Sequence, residues 1–153
     1  MKRSDLIIMA LVIILDQALK AVIRATLPVG GSRDLIGSIM AITHVENPGA
    51  AFGIMKGSTV LLLVVTAVFV VIGVIFLVKN REGHWTMHAA LSLVISGGVA
   101  NMIDRILKGT VTDMFDFHFW PVFNIADIAV CVGCGLLIIY VLFVPEGKNR
   151  AKD

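Results

Sequence analysis

The chain has 153 residues, of which 58% are hydrophobic and only 16% are charged. Soluble domains carry about 25% charged residues, so this composition indicates a membrane protein rather than a soluble one. A net charge of only +2, without basic runs that contain interleaved aromatic residues, argues against binding to nucleic acid.

Four segments are long and apolar enough to span a bilayer, which requires about 20 residues. In chain order they are Ser4–Leu27, Thr59–Val78, Met87–Leu107 and Val122–Val144. The first segment begins like a signal peptide, but Asp16 and Lys20 follow without a small-residue cleavage site, so we expect it to be retained. The sequence therefore predicts one domain, residues 1–153, that is mainly α-helical: an integral membrane bundle of four transmembrane helices.

The basic residues predict how the spans are oriented. Lys2 and Arg3 precede the first span, and Lys79 and Arg81 lie in the connection between the second and third spans. The tail carries Lys148, Arg150 and Lys152. Because short basic segments stay in the cytoplasm, we expect both termini inside and a multi-pass topology. The connections 28–58 and 108–121 would then lie outside.

The first outer connection predicts a small β-sheet. Ile36–Val45 is rich in β-branched residues and lacks proline, which is typical of one or two short strands. Asn47, Pro48 and Gly49 then supply turn residues. We expect an extracytoplasmic sheet between the first two helices, covered by protein wherever it reaches membrane depth.

Polar residues collect at one level of the spans. With a rise of about 1.5 Å per residue, they fall in the outer third of the membrane or just beyond it: Asp16, Lys20, Asn101, Arg105, Asp113, Asn124 and Asp127. Polar residues at such depth usually mark a functional site. Structural ion pairs such as Asp16 with Lys20, or Asp104 with Arg105, are the alternative, but structural pairs need not gather at one level. The inner halves of the spans carry almost nothing polar.

Nucleophile, redox and metal chemistry are poorly supported by the sequence. His84 and His88 have helical spacing but lack the glutamate of a zinc-binding H-E-x-x-H motif, and they lie at the opposite end. Cys131 and Cys134 form a C-x-x-C without a second pair or a nearby base, so we interpret them as small helix-packing residues. We expect neither a metal nor a cofactor.

Carboxylates remain as the chemical groups of the site. Two of them close together can share one proton, and can then act as a base toward water and an acid toward a carbonyl or leaving amine. Asp113 and Asp127 are best placed for this role, with Asp16, Asp104 and Asp116 as lesser candidates. A proton-coupled transporter would also use intramembrane carboxylates, and a non-catalytic scaffold is a further alternative.

Four motifs in order resemble the lipoprotein signal peptidase (signal peptidase II) family, and the resemblance covers most of the chain. They are Leu15-Asp16-Gln17 with Lys20; Glu46-Asn47-Pro48-Gly49-Ala50-Ala51-Phe52; Gly97 and Asn101 through Ile103-Asp104-Arg105 with Gly109, Val111 and Asp113; and Phe123-Asn124-Ile125-Ala126-Asp127.

The resemblance implies that Asp113 and Asp127 are the catalytic pair of a bacterial aspartic endopeptidase. It implies that substrate binding and site ordering depend on Asp16, Lys20, Asn47, Asn101, Arg105 and Asn124. Family members cut prolipoproteins before a diacylglyceryl-modified cysteine at the outer side of the cytoplasmic membrane. A lipid-modified prolipoprotein and membrane lipid are therefore the expected partners of a protein that we expect to be monomeric.

Three positions depart from the family's pattern. Met114 stands where phenylalanine usually follows the first aspartate, Ile128 where serine usually follows the second, and Ala100 where glycine usually precedes Asn101. None of them removes a titrating group. They bear on the hydrogen bonding around Asp127 and on helix packing near Asn101, not on the reaction class.

Overall fold

The computed structural model describes residues 1–49 and 59–144. Their elements are α1 (Arg3–Thr26), β1 (Ser32–Ile36), β2 (Met40–Asn47), α2 (Thr59–Lys79), α3 (Trp85–Lys108), β3 (Val111–Asp116) and α4 (Ile125–Phe143). Outside the described residues lie Ala50, Ala51 and Phe52 of the second motif, the end of the connection 28–58, and the basic tail with Lys148, Arg150 and Lys152. All four helices are long and apolar enough to cross a membrane, as the sequence predicts.

The helix α3 lies at the centre of the bundle and packs against each of the other three helices. It runs parallel to α1, because Lys2 contacts Gly83 near its start and Lys20 contacts Asp104 near its end. It runs antiparallel to α4. Gly97, in the second half of α3, lies against Ala126 at the start of α4, whereas Gly133, in the middle of α4, lies against Ala90 near the start of α3. We call the end that carries the strands the sheet end, and the other the far end.

The backbones of α3 and α4 approach closely at two glycines. A Cβ atom on Gly97 would collide with the backbone oxygen of Ala126, and one on Gly133 would lie 2.7 Å from the backbone oxygen of Ala90. Small residues permit such approach between membrane helices. The contact at Ala126 brings the first turn of α4 against α3, which matters for the site.

The cysteines of α4 do not take part in this packing. The residues of α4 that are buried are Ala126, Ala129 and Gly133, which share one helix face at i, i+3 and i+7. Cys131 and Cys134 are both exposed, so the interpretation of them as helix-packing residues is wrong. Alanine and glycine fill the packing role, because they allow closer backbone contact than cysteine.

The predicted small sheet is confirmed, and it contains one more strand than the sequence indicates. Its order is β1-β2-β3 with antiparallel pairing. The strands β1 and β2 form a hairpin between α1 and α2, where the sequence predicts one or two short strands. The strand β3 follows α3, in a connection for which the sequence predicts no strand, and pairs Val45 with Asp113 and Asn47 with Val111. This pairing joins the second motif to the third.

The fourth span begins later than predicted, at Ile125 instead of Val122. Phe123 is not helical, because it forms an antiparallel bridge with Phe115 of β3. Asn124 has extended backbone angles and caps the helix. The polar and aromatic contacts of the strand therefore override the apolar pattern at this boundary.

A buried polar pair holds the far end together. One ring nitrogen of His88 lies 3.0 Å from an Asp5 carboxylate oxygen, and the other lies 2.9 Å from the backbone oxygen of Asn80. Both side chains are buried, and Lys2 donates to the Gly83 oxygen beside them. The expectation that this half of the bundle carries almost nothing polar is therefore wrong at Asp5 and His88, which fasten α1 to the turn between α2 and α3.

Candidate active site

The first turn of α4 carries one of the two predicted catalytic carboxylates. Asn124 is the N-cap residue, and its side-chain oxygen accepts a hydrogen bond from the Asp127 backbone N–H at 2.9 Å. In return, the backbone N–H of Asn124 donates to Asp127 Oδ2 at 3.2 Å. This reciprocal capping box holds the carboxylate at the positive end of the helix dipole. Asp127 is thus the third residue of its helix, nearer the helix end than the sequence predicts.

Asn124 also reaches the second carboxylate. Its side-chain amide donates to Asp113 Oδ1 at 2.6 Å and to Asn101 Oδ1 at 3.2 Å. The side chain is completely buried. One residue therefore binds both predicted catalytic aspartates, Asp113 through its side chain and Asp127 through its backbone.

Asp113 lies on β3 and is held from the other side by β2. Its Oδ2 atom accepts a hydrogen bond from the Asn47 amide at 3.0 Å. The Asn47 side-chain oxygen accepts from the Gly49 backbone N–H at 3.0 Å, which fixes which way the amide points. Burial raises the pKa of Asp113 to about 7, and the nearby charge of Asp127 acts in the same direction, while the hydrogen bonds from Asn47 and Asn124 oppose it.

Asn101 of α3 completes the shell around Asp127. Its amide nitrogen donates to Asp127 Oδ1 at 2.9 Å. Its side-chain oxygen accepts from Lys20 Nζ at 2.9 Å. Because an amide oxygen must face the ammonium group, Lys20 orients Asn101 so that its nitrogen points at Asp127.

Lys20 is completely buried and neutralises two acidic side chains. Its Nζ atom lies 2.8 Å from Asp16 Oδ2 and 3.0 Å from Asp104 Oδ2. Asp16 Oδ1 accepts a hydrogen bond from the Ala126 backbone N–H at 2.9 Å, so α1 caps α4 from outside. The lysine thereby ties α1 to α3, while Asp16 ties α1 to α4.

The lesser acidic candidates are occupied by structural contacts. Asp104 pairs with Lys20, and its other oxygen lies 3.6 Å from Arg24, whereas no ion pair with Arg105 is present among the described residues. Asp116, at the other end of β3 from the site, accepts from Thr43 Oγ1 at 3.2 Å and from the His118 backbone N–H at 2.7 Å. The proposed Asp104–Arg105 pair therefore does not form.

Arg105 instead faces the second motif. Its guanidinium donates to the Gly49 backbone oxygen at 3.0 Å. All eight residues singled out from the sequence are thus brought together at the sheet end of the bundle: Asp16, Lys20, Asn47, Asn101, Arg105, Asp113, Asn124 and Asp127.

An apolar groove between α2, α3 and α4 leads to these residues. Its volume is about 240 Å³, and its walls include Phe69 of α2, Ile95 of α3 and Val130 of α4. Asn101 and Arg105 are its polar lining residues near the sheet end. The groove could hold an apolar group beside the carboxylates.

The three departures from the family's pattern leave the polar contacts intact. Met114 of β3 is fully buried, and its backbone N–H donates to the Phe123 oxygen at 3.0 Å. Ile128 is exposed and Asp127 receives its hydrogen bonds from Asn101 and Asn124 instead. Ala100 is completely buried, so a methyl group fits at this helix contact.

Sequence reasoning missed several residues of the surrounding network. Gln17 donates to the Ala100 backbone oxygen at 3.1 Å, and Arg24 donates to Thr112 Oγ1 at 3.1 Å. Arg24 follows Lys20 by one helical turn, and this spacing in the sequence could have assigned Arg24 to the same helix face as Lys20. Glu46 stands in the second motif, but its contact with Thr112 could not be identified without the pairing of β2 with β3.

Comparison with known proteins agrees with this geometry. The family model for signal peptidase (SPase) II, peptidase A8, matches residues 8–143. The lipoprotein signal peptidase of Halothermothrix orenii is 40% identical over 134 residues, covering 88% of this chain and 92% of the relative. That of Halalkalibacterium halodurans is 37% identical over 153 residues, covering 96% and 97%. That of Staphylococcus aureus (strain JH9) is 35% identical over 151 residues, covering 96% and 93%.

Two solved structures of bacterial membrane enzymes, both obtained by the in meso method, share the fold. One has a TM-score of 0.89 at 32% identity and covers 98% of this chain and 94% of that chain. The other has a TM-score of 0.84 at 34% identity and covers 93% and 94%. Together with the family model and the relatives, they show that the chain belongs to the signal peptidase II family and is a multi-pass membrane peptidase.

Proposed function

We propose that this protein removes signal peptides from lipid-modified prolipoproteins, and that Asp113 and Asp127 act together on a water molecule to cut the bond before the diacylglyceryl-cysteine. The observation that carries the proposal is the double role of Asn124, which contacts both carboxylates. A buried carboxylate and a half-buried one, held by the same residue, suit the sharing of a single proton.

The proposed reaction adds water across the peptide bond without a covalent enzyme intermediate. The ionised aspartate takes a proton from water as its oxygen attacks the scissile carbonyl carbon, while the protonated aspartate donates to the carbonyl oxygen. Collapse of the tetrahedral diol breaks the C–N bond, and the amine leaves with a proton from the pair. The products are a signal peptide with a free carboxylate and a lipidated cysteine with a free amine.

The surroundings of the pair suit a lipid-anchored substrate. The diacylglyceryl group would hold the scissile bond near the membrane surface, which raises its effective concentration beside the carboxylates. The apolar groove that reaches Asn101 and Arg105 offers room for the apolar part of the substrate. Arg105 and Asn47 would then bind the peptide backbone rather than the lipid.

The proposed location is the bacterial cytoplasmic membrane, with both termini in the cytoplasm and the sheet end facing outward. Basic residues at the far end support this orientation: Lys2, Arg3, Lys79 and Arg81. The protein would act as a monomer, because all eight candidate residues come from one chain.

Cleavage is expected only when the substrate carries its lipid. The test uses purified protein in detergent with a diacylglyceryl-modified prolipoprotein, and reads the product as a shift on a gel. The unlipidated precursor serves as the matched control and should remain intact. Equal cleavage of both precursors would contradict the role of the lipid, and no cleavage by folded protein would favour a transporter or scaffold.

The rate is expected to fall as the pH rises through about 7, because burial places the pKa of Asp113 near that value. Below it Asp113 holds the shared proton, and above it both carboxylates are ionised and no acid remains. The measurement is kcat across the neutral range, with thermal unfolding recorded at each pH to exclude loss of structure. A kcat that stays constant well above neutral pH would show that Asp113 does not hold this proton.

A further inference from the structure

A second polar cluster lies on the sheet, outside the catalytic shell. At its centre is the carboxylate of Glu46 on β2, which accepts hydrogen bonds from four side chains. They are Thr110, Thr112 at 2.8 Å, Lys108 at 3.2 Å and His44 at 3.1 Å. These donors belong to β2, to β3 with the turn before it, and to the end of α3.

This cluster occupies the face of the sheet opposite to the site. Successive residues of a strand point to opposite faces, and Glu46 is paired with Thr112 while Asn47 is paired with Val111. Glu46 and Thr112 therefore share one face. Asn47 and Asp113, the next residue of each strand, share the other face, where they form their hydrogen bond.

The Glu46 carboxylate is held tightly and remains ionised. Partial burial alone would raise the pKa of Glu46, but the hydrogen bonds from Thr110, His44, Thr112 and Lys108 lower it to about 2. Thr112 is itself completely buried, and its hydroxyl also accepts from Lys108 at 2.6 Å and from Arg24 at 3.1 Å. Side chains from α3, from β3 and from the turn between them thus converge on one carboxylate.

We propose that Glu46 is a positioning residue of the peptidase, which holds β2 on β3 in the register that aims Asn47 at Asp113. The inference rests on the proposed role of Asp113. The need for such a residue is evident from the ladder, because its register shifts between Ile42 and Val45, just before the site. The regular pairing beyond this shift covers only Val45, Glu46 and Asn47, and a slip by one residue would turn Asn47 to the wrong face.

The position of Asn47 has a chemical consequence for Asp113. Its hydrogen bond favours the ionised carboxylate and so opposes the rise in the pKa of Asp113 that burial causes. When Glu46 no longer holds the register, that bond lengthens and the pKa of Asp113 rises further. The fall in kcat at alkaline pH then moves to higher pH.

The first test is Glu46→Ala, assayed on the lipidated precursor. We expect kcat to fall by about 10- to 100-fold with KM changed less than about twofold, since a small misplacement near reacting atoms has effects of this size. The pH at which kcat falls should increase. Thr112→Val should reproduce both changes, whereas Thr112→Ser, which keeps the hydroxyl, should behave as the unmodified protein does.

The second test is a double-mutant cycle with Asn47→Ala. If Glu46 acts through Asn47, adding Glu46→Ala to Asn47→Ala should lower kcat by less than about twofold more. The proposal would be overturned if the effects of the two substitutions on kcat multiply in the double mutant, or if the pH profile of Glu46→Ala is unchanged. His88→Ala at the far end is the control for lost stability, and should lower the melting temperature without moving the pH profile. If Glu46→Ala does not accumulate, Glu46→Gln takes its place.

The outcome separates this inference from the proposed function. Inactive Asp113→Asn with fully active Glu46→Ala and Glu46→Gln would reject only the positioning role. Active Asp113→Asn would reject the catalytic pair itself, whatever Glu46 does.

Discussion

Asp113→Asn and Asp127→Asn are each expected to abolish cleavage of the lipidated precursor, lowering kcat by about 10³-fold or more. Asparagine keeps the size of the side chain but can neither take a proton from water nor return one to the leaving amine. Hydrogen bonds to Asn124 and Asn47 remain possible in part, so both variants should insert and accumulate. The measurement is the single-turnover cleavage rate of purified protein.

Asp34→Asn is the matched control for these two changes. It makes the same substitution on β1, where the residue is exposed and far from the shell around Asp127. It should leave kcat unchanged. Normal cleavage by Asp113→Asn or by Asp127→Asn would remove that residue from the mechanism, because neither role can be filled by an amide.

Lys20→Met is expected to have the largest effect on stability. It keeps a side chain of similar length but leaves the buried carboxylates of Asp16 and Asp104 without their ammonium partner. Breaking a buried ion pair from one side costs about 3–5 kcal/mol, more than most single substitutions. Asn101 also loses the donor that orients it, so activity should fall in the fraction that remains folded.

The melting temperature in detergent tests this prediction, with Lys79→Met as its control. Lys79 is exposed at the far end of α2, so its replacement should change the melting temperature little. Adding Asp104→Asn to Lys20→Met should restore part of the loss, since one uncompensated charge is removed. If Lys20→Met melts like the unmodified protein, the buried network does not stabilise the bundle.

The sequence predicts the helices and the gathering of the candidate residues at one end of the bundle, for a physical reason. An apolar run of about 20 residues has few stable alternatives to a membrane span. Polar residues at membrane depth must find partners, so Asp16, Asn101 and Asp127 could be grouped before any contact was known. Their spacing along each helix gave the shared faces directly.

The remaining features depend on contacts between distant parts of the chain. The strand β3 is short, and its pairing with β2 decides its conformation more than its own composition does. The pairing of Asp5 with His88 joins residues that are far apart in sequence. Glu46 belongs to the second motif, but its role could not be predicted from the sequence. Its partners Thr110 and Thr112 become its neighbours only through the same pairing of strands.

The capping of α4 bears on how the protein is made. Asn124, which caps this helix, joins the two carboxylates and contacts Asn101 of α3 and Asp113 of β3. Asp16 of α1 accepts a hydrogen bond from Ala126 in the same helical turn. During synthesis α4 is the last of the four helices to enter the membrane. Under the proposed mechanism, a chain that has not yet inserted α4 lacks Asp127 and the cap that joins it to Asp113, so it cannot activate water.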